Sequence, residues 1–206
     1  MKAIIPCAGY GTRMNLEPTE SKEMLIDPIT NEPIIKYHLD LCDTYGLDPV
    51  IITRPEKTDL IDYCTSAGAE IVLFANPPDE WPDSILASYY AWDATNILLL
   101  PDTRFEPTNI IQKIIDDLNS DIPLSIATHT VDDVSKWGAL NHMHLAEKPD
   151  IQKPGTAWGV IGFNKDAGLD IFPKFRKRDH WFAYSNEKHP LDSFVDITRN
   201  GVVDEY

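Results

Sequence analysis

The sequence predicts an α/β fold, a doubly wound and mostly parallel mixed sheet in three layers, on three observations. Apolar runs of strand length recur along the 206 residues, from Ala3-Ile4-Ile5 through Val50-Ile51-Ile52 and Ile71-Val72-Leu73-Phe74 to Ile97-Leu98-Leu99-Leu100. Segments with apolar residues at helical spacing separate several of them. The early runs are apolar throughout instead of alternating, the pattern of parallel strands covered on both faces.

In chain order, Lys2 to Ile5 reads as the first strand. Pro33 to Tyr45 carries Ile34, Ile35, His38, Leu39 and Cys42 on one stripe, with Pro33 near its start and Gly46 as a stop signal. Asp59 to Thr65, Ser84 to Asp93 and Asn109 to Leu118 read as further helices, the last with Ile110, Ile111, Ile114, Ile115 and Leu118 on one face. Leu124 to Ala127 and Gly159 to Phe163 complete the predicted strands. The order is that of a Rossmann-like sheet, in which ligands bind beyond the carboxyl ends of the strands.

The length suits one domain over residues 1–206. No apolar run approaches the roughly eighteen residues of a membrane span. Cys7, Cys42 and Cys64 form neither a metal-ligand nor a paired-disulfide pattern, and no secretory signal region is evident, so a cytoplasmic setting is expected. A formal net charge of -15 argues against nucleic acid or an anionic membrane as partner, and any phosphate ligand needs a local cluster of cations.

Such a cluster is present after the first strand. Cys7-Ala8-Gly9-Tyr10-Gly11-Thr12-Arg13 forms a turn whose glycines admit a ligand close to backbone N–H groups, so Ala8, Gly9, Gly11 and Thr12 are candidate nucleotide contacts. Arg13 adds a bidentate fork for phosphate and Lys22 a mobile point charge. The turn lacks the third glycine of the dinucleotide fingerprint and the Gly-Lys-Ser/Thr end of the Walker loop. At the end of another strand, Pro101-Asp102-Thr103-Arg104 places a carboxylate at the sheet mouth; by local pattern Asp102 is a turn residue or a Mg2+ ligand, and Arg104 a surface residue. The proline-rich loop from Asn76 to Pro82 leads into a helix that Asp83 or Ser84 can cap, with Trp81 read as a packed anchor. Farther on stand Trp137-Gly138, Glu147-Lys148-Pro149 and Trp158-Gly159, followed by a basic island, Lys174 to Arg178, read as a solvated helix face.

The Gly-x-Gly-Thr-Arg turn, Lys22-Glu23-Met24-Leu25, Leu100-Pro101-Asp102 and Glu147-Lys148-Pro149 together resemble the sugar-1-phosphate nucleotidyltransferases, most of all the glucose-1-phosphate uridylyl- and thymidylyltransferases. Ser21 departs from the family's usual proline, and Lys22 follows Arg13 one residue sooner than usual. The resemblance implies a nucleotidyltransferase domain of GT-A-like fold that joins a nucleoside triphosphate, UTP or dTTP, to a sugar 1-phosphate with release of pyrophosphate. It implies Arg13, Lys22 and a Mg2+ held by Asp102 as the catalytic set, Asn76 and Ser84 near the base, and Gly138, Glu147, Lys148 and Trp158 around the sugar phosphate. It also implies a second metal-binding aspartate in a Trp-x-Asp-like segment. Phe194 to Tyr206 is matched to the helix and strand before that segment, so the chain is expected to be short at its C-terminus, with Asp196 or Asp204 as substitutes. Two other readings stand: a CTP-dependent cytidylyltransferase for a phosphorylated alcohol such as phosphocholine, its ammonium caged by Trp81, Tyr89, Tyr90 and Trp92, and a non-catalytic nucleotide-sugar binder.

Overall fold

A computed structural model describes residues 1–10, 16–17, 19–76, 80–142, 144–176, 181–184 and 187–198. In chain order the strands are β1 (Lys2–Pro6), β2 (Ile26–Asp27), β3 (Glu32–Pro33), β4 (Asp48–Thr53), β5 (Glu70–Leu73), β6 (Thr95–Leu98), β7 (Thr103–Glu106) and β8 (Leu124–Val131). They continue as β9 (Gly138–Asn141), β10 (His144–Glu147), β11 (Gly155–Asn164), β12 (Phe182–Ala183), β13 (Glu187–Pro190) and β14 (Ser193–Asp196). The helices are α1 (Lys36–Tyr45), α2 (Thr58–Ser66), α3 (Trp81–Ala87), α4 (Ile110–Asn119) and α5 (Lys165–Phe175).

The main sheet runs β12-β10-β9-β11-β6-β1-β4-β5, with β8 against β11 and β13 against β8. Its two halves differ in sense. β1 lies parallel to β4 and β6, and β4 parallel to β5, as the apolar runs and intervening helices require. Around β11 the pairing with β6, β8 and β9 is antiparallel, so parallel strands prevail only in the N-terminal half. Alternate residues of β1 separate the two cores. Ala3 and Ile5 face the layer built from Leu39 of α1, Leu60 of α2 and Ile110, Ile111 and Ile114 of α4. Ile4 faces the layer of Ile85 from α3 and Ile171, Phe172 and Phe175 from α5. Helices therefore cover both faces of the sheet.

Local chemistry sets the helix ends. α1 stops where Gly46 adopts a left-handed conformation (φ 64°) and returns its N–H to the Cys42 carbonyl. The helix expected from Ser84 to Asp93 is shorter. α3 begins earlier, at Trp81 with Pro82 in its first turn, and gives way to a 3-10 turn at Tyr89–Ala91, where the Ser88 hydroxyl bonds back to the Ile85 carbonyl at 2.7 Å. Of the basic stretch, Lys177 and Arg178 lie outside the described residues, while Lys174 in the last turn of α5 pairs with Asp170 and Arg176 just after it with Asp83, above the buried Phe172 and Phe175.

The expectation for Phe194 to Tyr206 is corrected. Within the described part there is no helix; Ser193–Asp196 is strand β14, antiparallel to β7 with Asp196 opposite Thr103. Phe194 fixes this strand by stacking on His129, ring centroids 4.2 Å apart. Arg104 is likewise no surface residue: its guanidinium pairs with the buried Asp27 carboxylate and lies over the Tyr37 ring.

Candidate active site

β1 and β6 run parallel in register, Ile4 beside Leu98, and so end at the same edge of the sheet. The glycine turn follows one and Asp102 the other. Gly11, Thr12 and Arg13 lie outside the described residues, as does Asp204. Of the rest of the turn, Ala8 is buried and Gly9 exposed, and a Cβ at Gly9 would meet none of the described residues within 4 Å.

Lys22 opens a short 3-10 turn, Lys22–Met24, and donates from Nζ to Asp102 Oδ2 at 2.5 Å. Burial penalises both charges, and each partner overcomes it for the other: the Lys22 ammonium is held above its ordinary value, and the Asp102 carboxyl below its own. Asp196 reaches the same place from the far end of the chain. The Thr198 hydroxyl lies 3.2 Å from Asp102 Oδ2 and 3.0 Å from Asp196 Oδ1, and the Ile197 N–H donates to the Asp102 carbonyl at 2.8 Å. The sequence leaves Asp196 as one of two candidate substitutes for a second metal aspartate, and the pairing of β14 with β7 is what brings it beside Asp102.

Two carboxylates flanking one hydroxyl are an all-oxygen donor set of the kind a hard divalent cation takes, with phosphate oxygens and water completing the shell. No group of three or more His, Cys, Asp or Glu side chains suited to a metal occurs among the described residues. Two carboxylates suffice for Mg2+ bound together with a nucleotide.

The β9–β10 hairpin builds the other end. It sets Gly138 opposite Glu147, and the Lys148 N–H donates to the Trp137 carbonyl at 3.0 Å. Lys148 Nζ stands 3.6 Å from Glu147 Oε1. Gly138 has a packing reason as well: a Cβ there would stand 1.7 Å from the Trp158 indole nitrogen. Trp158 is 5% exposed and packs on Trp81 and Phe175, so it presents no open face to a sugar. Trp81 is the anchor expected, and its indole N–H points at Glu147 Oε1, 3.4 Å away. Beside the hairpin opens a cleft of about 1210 Å³, lined in part by His129, Asp133, Trp137, Lys148 and Phe194. His129 and Phe194 carried no motif that marked them in the sequence. Near the expected base site, Ser84 is buried in the first turn of α3, which packs on β1, and Asn76 is exposed after β5.

The fold is that of the sugar-1-phosphate nucleotidyltransferases. The chain is similar to a Bacillus anthracis structure assigned as a glucose-1-phosphate thymidylyltransferase with sucrose bound, at TM-score 0.74 and 16% identity over 98% of this chain and 92% of that one. It is also similar to HddC from Yersinia pseudotuberculosis complexed with GMP-PN, at TM-score 0.68 and 19% identity over 99% and 96% of the two chains. A UDP-glucose pyrophosphorylase from Acinetobacter baumanii superposes at TM-score 0.72 with 15% identity, over 99% and 90%. No family model and no curated protein matches the sequence. No helix among the described residues is long and apolar enough to cross a membrane.

Proposed function

We propose that residues 1–206 form a single nucleotidyltransferase domain that transfers a nucleotidyl group from a nucleoside triphosphate, UTP or dTTP, to a glucose-1-phosphate-like sugar 1-phosphate, releasing pyrophosphate. The observation that carries this reading is the meeting of Lys22, Asp102 and Asp196 beyond the carboxyl ends of β1 and β6. Asp102 and Asp196 hold Mg2+, which supplies charge neutralisation at the phosphates. The exposed Gly9 lets the triphosphate approach the backbone, and Arg13 and Lys22 balance its charge. Gly138, Glu147 and Lys148 hold the sugar 1-phosphate, the glutamate accepting from hydroxyls and the lysine facing the phosphate. A phosphate oxygen of the acceptor then attacks the α-phosphorus in line with the departing pyrophosphate. Positioning and charge balance carry this reaction, with no covalent intermediate.

The cage for an ammonium does not assemble. Trp81 and Trp92 are packed against Phe172 in the core, while Tyr89 and Tyr90 stand exposed on the surface. Pyrophosphate release measured over a panel of triphosphates, sugar 1-phosphates and phosphocholine tests the proposal. Turnover with UTP or dTTP and a hexose 1-phosphate supports it; release only with other triphosphates, with CTP and phosphocholine alone, or none at all, overturns it.

A further inference from the structure

Beneath the glycine turn lies a buried polar assembly that the reaction as described does not use. Lys57 Nζ donates to the Cys7 carbonyl and to Glu23 Oε2, each at 2.8 Å, with Lys57 1% and Glu23 0% exposed. Arg54 Nε donates to the next carbonyl, that of Ala8, at 3.1 Å, and its guanidinium lies 4.1 Å from the centre of the Tyr10 ring. Ser21 Oγ donates to Asp59 Oδ1 at 2.7 Å. All three of these partners come from residues 54–59, the turn between β4 and α2 and its first helical residues.

A buried ion pair is a poor source of stability, since apolar residues of similar size usually serve as well or better. Geometry gives this one a use. The Cys7–Ala8 and Ala8–Gly9 peptides are trans, so each N–H points opposite to the carbonyl it shares a plane with. With the Cys7 and Ala8 carbonyls held by Lys57 and Arg54, the N–H groups of Ala8 and Gly9 are turned away from those cations. Glu23, on the same lysine, is the neighbour of Lys22 in the chain.

We propose that Arg54 and Lys57 are positioning residues that aim the amides of Ala8 and Gly9 at the triphosphate and tie that turn to the Lys22 segment. This rests on the reading of the turn as the triphosphate site. The cations act through backbone carbonyls and do not themselves touch the nucleotide.

The test uses the full chain with Arg54→Met, Arg54→Lys and the paired change Lys57→Met with Glu23→Leu, which removes both buried charges together. Triphosphate binding is measured by calorimetry with UTP and dTTP, alongside thermal melting and the KM for sugar 1-phosphate. Arg54→Met and the paired variant are expected to melt close to the parent and to bind triphosphate 10- to 100-fold more weakly, with the sugar 1-phosphate KM unchanged. Arg54→Lys, which retains a donor, should recover most of the loss. Parent-like binding by a folded variant, or equal weakening of both substrates, overturns the positioning role. If the paired variant does not fold, Arg54→Met alone decides. Should the parent bind no triphosphate, the site reading falls and this proposal with it.

Discussion

Lys22 and Asp102, eighty residues apart, form an ion pair of 2.5 Å whose side chains are 16% and 13% exposed. Asp102 has a depressed folded pKa, so its contribution to stability is present above the ordinary carboxylate value and is lost as pH falls through the folded one. Lys22 has a raised one, so its contribution persists below the ordinary lysine value and is lost as pH rises through the folded one. The pair is charged throughout the neutral range. Removing one partner leaves a largely buried charge, at a cost of about 3 kcal/mol. Lys22→Met and Asp102→Asn should each destabilise by about that amount in denaturant titrations, and each should lower turnover by on the order of 100-fold or more. The double variant should regain stability without regaining activity. A single variant with parental turnover would remove that residue from the site.

Asp196 is expected to share the cation with Asp102. Asp196→Asn should raise the Mg2+ concentration for half-maximal pyrophosphate release at least about tenfold, because a neutral amide is a poorer ligand for a hard ion. Thr198→Val, which removes the hydroxyl between the two carboxylates, should have a smaller effect in the same direction. An unchanged Mg2+ titration in Asp196→Asn would leave Asp102 as the only carboxylate ligand.

Glu147 and Lys148 lie at the β9–β10 hairpin, across the sheet from β1. Glu147→Ala and Lys148→Ala should weaken sugar 1-phosphate binding by roughly tenfold or more while changing triphosphate binding little, consistent with about 1.5–3 kcal/mol for a hydrogen bond to a charged group. Calorimetry on each substrate separately checks this. Equal losses would indicate damage to the hairpin.

Two buried histidines add to the loss of stability in acid. Burial holds His38 in α1 and His129 on β8 neutral, each with its pKa lowered from 6.5 to about 4. The unfolded chain binds these protons first as pH falls, so stability is full above about 6.5 and declines between 6.5 and 4, by roughly 2 to 3 kcal/mol for each histidine at pH 4.5. His129→Phe keeps an aromatic ring against Phe194 and Trp137 and should flatten part of this decline. Melting temperatures at pH 7.5 and 4.5 test it; an identical pH dependence in parent and variant would assign the decline elsewhere.

A contiguous stretch of chain can encode only its own burial pattern and its own short motifs. The parallel strands were legible because full burial on both faces demands unbroken apolar runs, and α1 and α4 because their stripes recur at the helical period. The glycine turn, Lys22, Asp102 and the Gly138, Glu147 and Lys148 set could be named as candidates because each lies within a short motif. Tertiary structure decided what those motifs meet. β14 is four residues long and has no periodicity to announce it, yet its pairing with β7 carries Asp196 to Asp102 across more than ninety residues of chain. The same holds for Arg104, which the sequence leaves at the surface until the β2–β3 hairpin brings the Asp27 carboxylate to it. No motif marks Lys57, and only the packing of α2 beneath the Lys22 segment buries it against Glu23 and the Cys7 carbonyl. Such charges take their roles from desolvation and from partners far away in the chain, and neither is a property of local sequence.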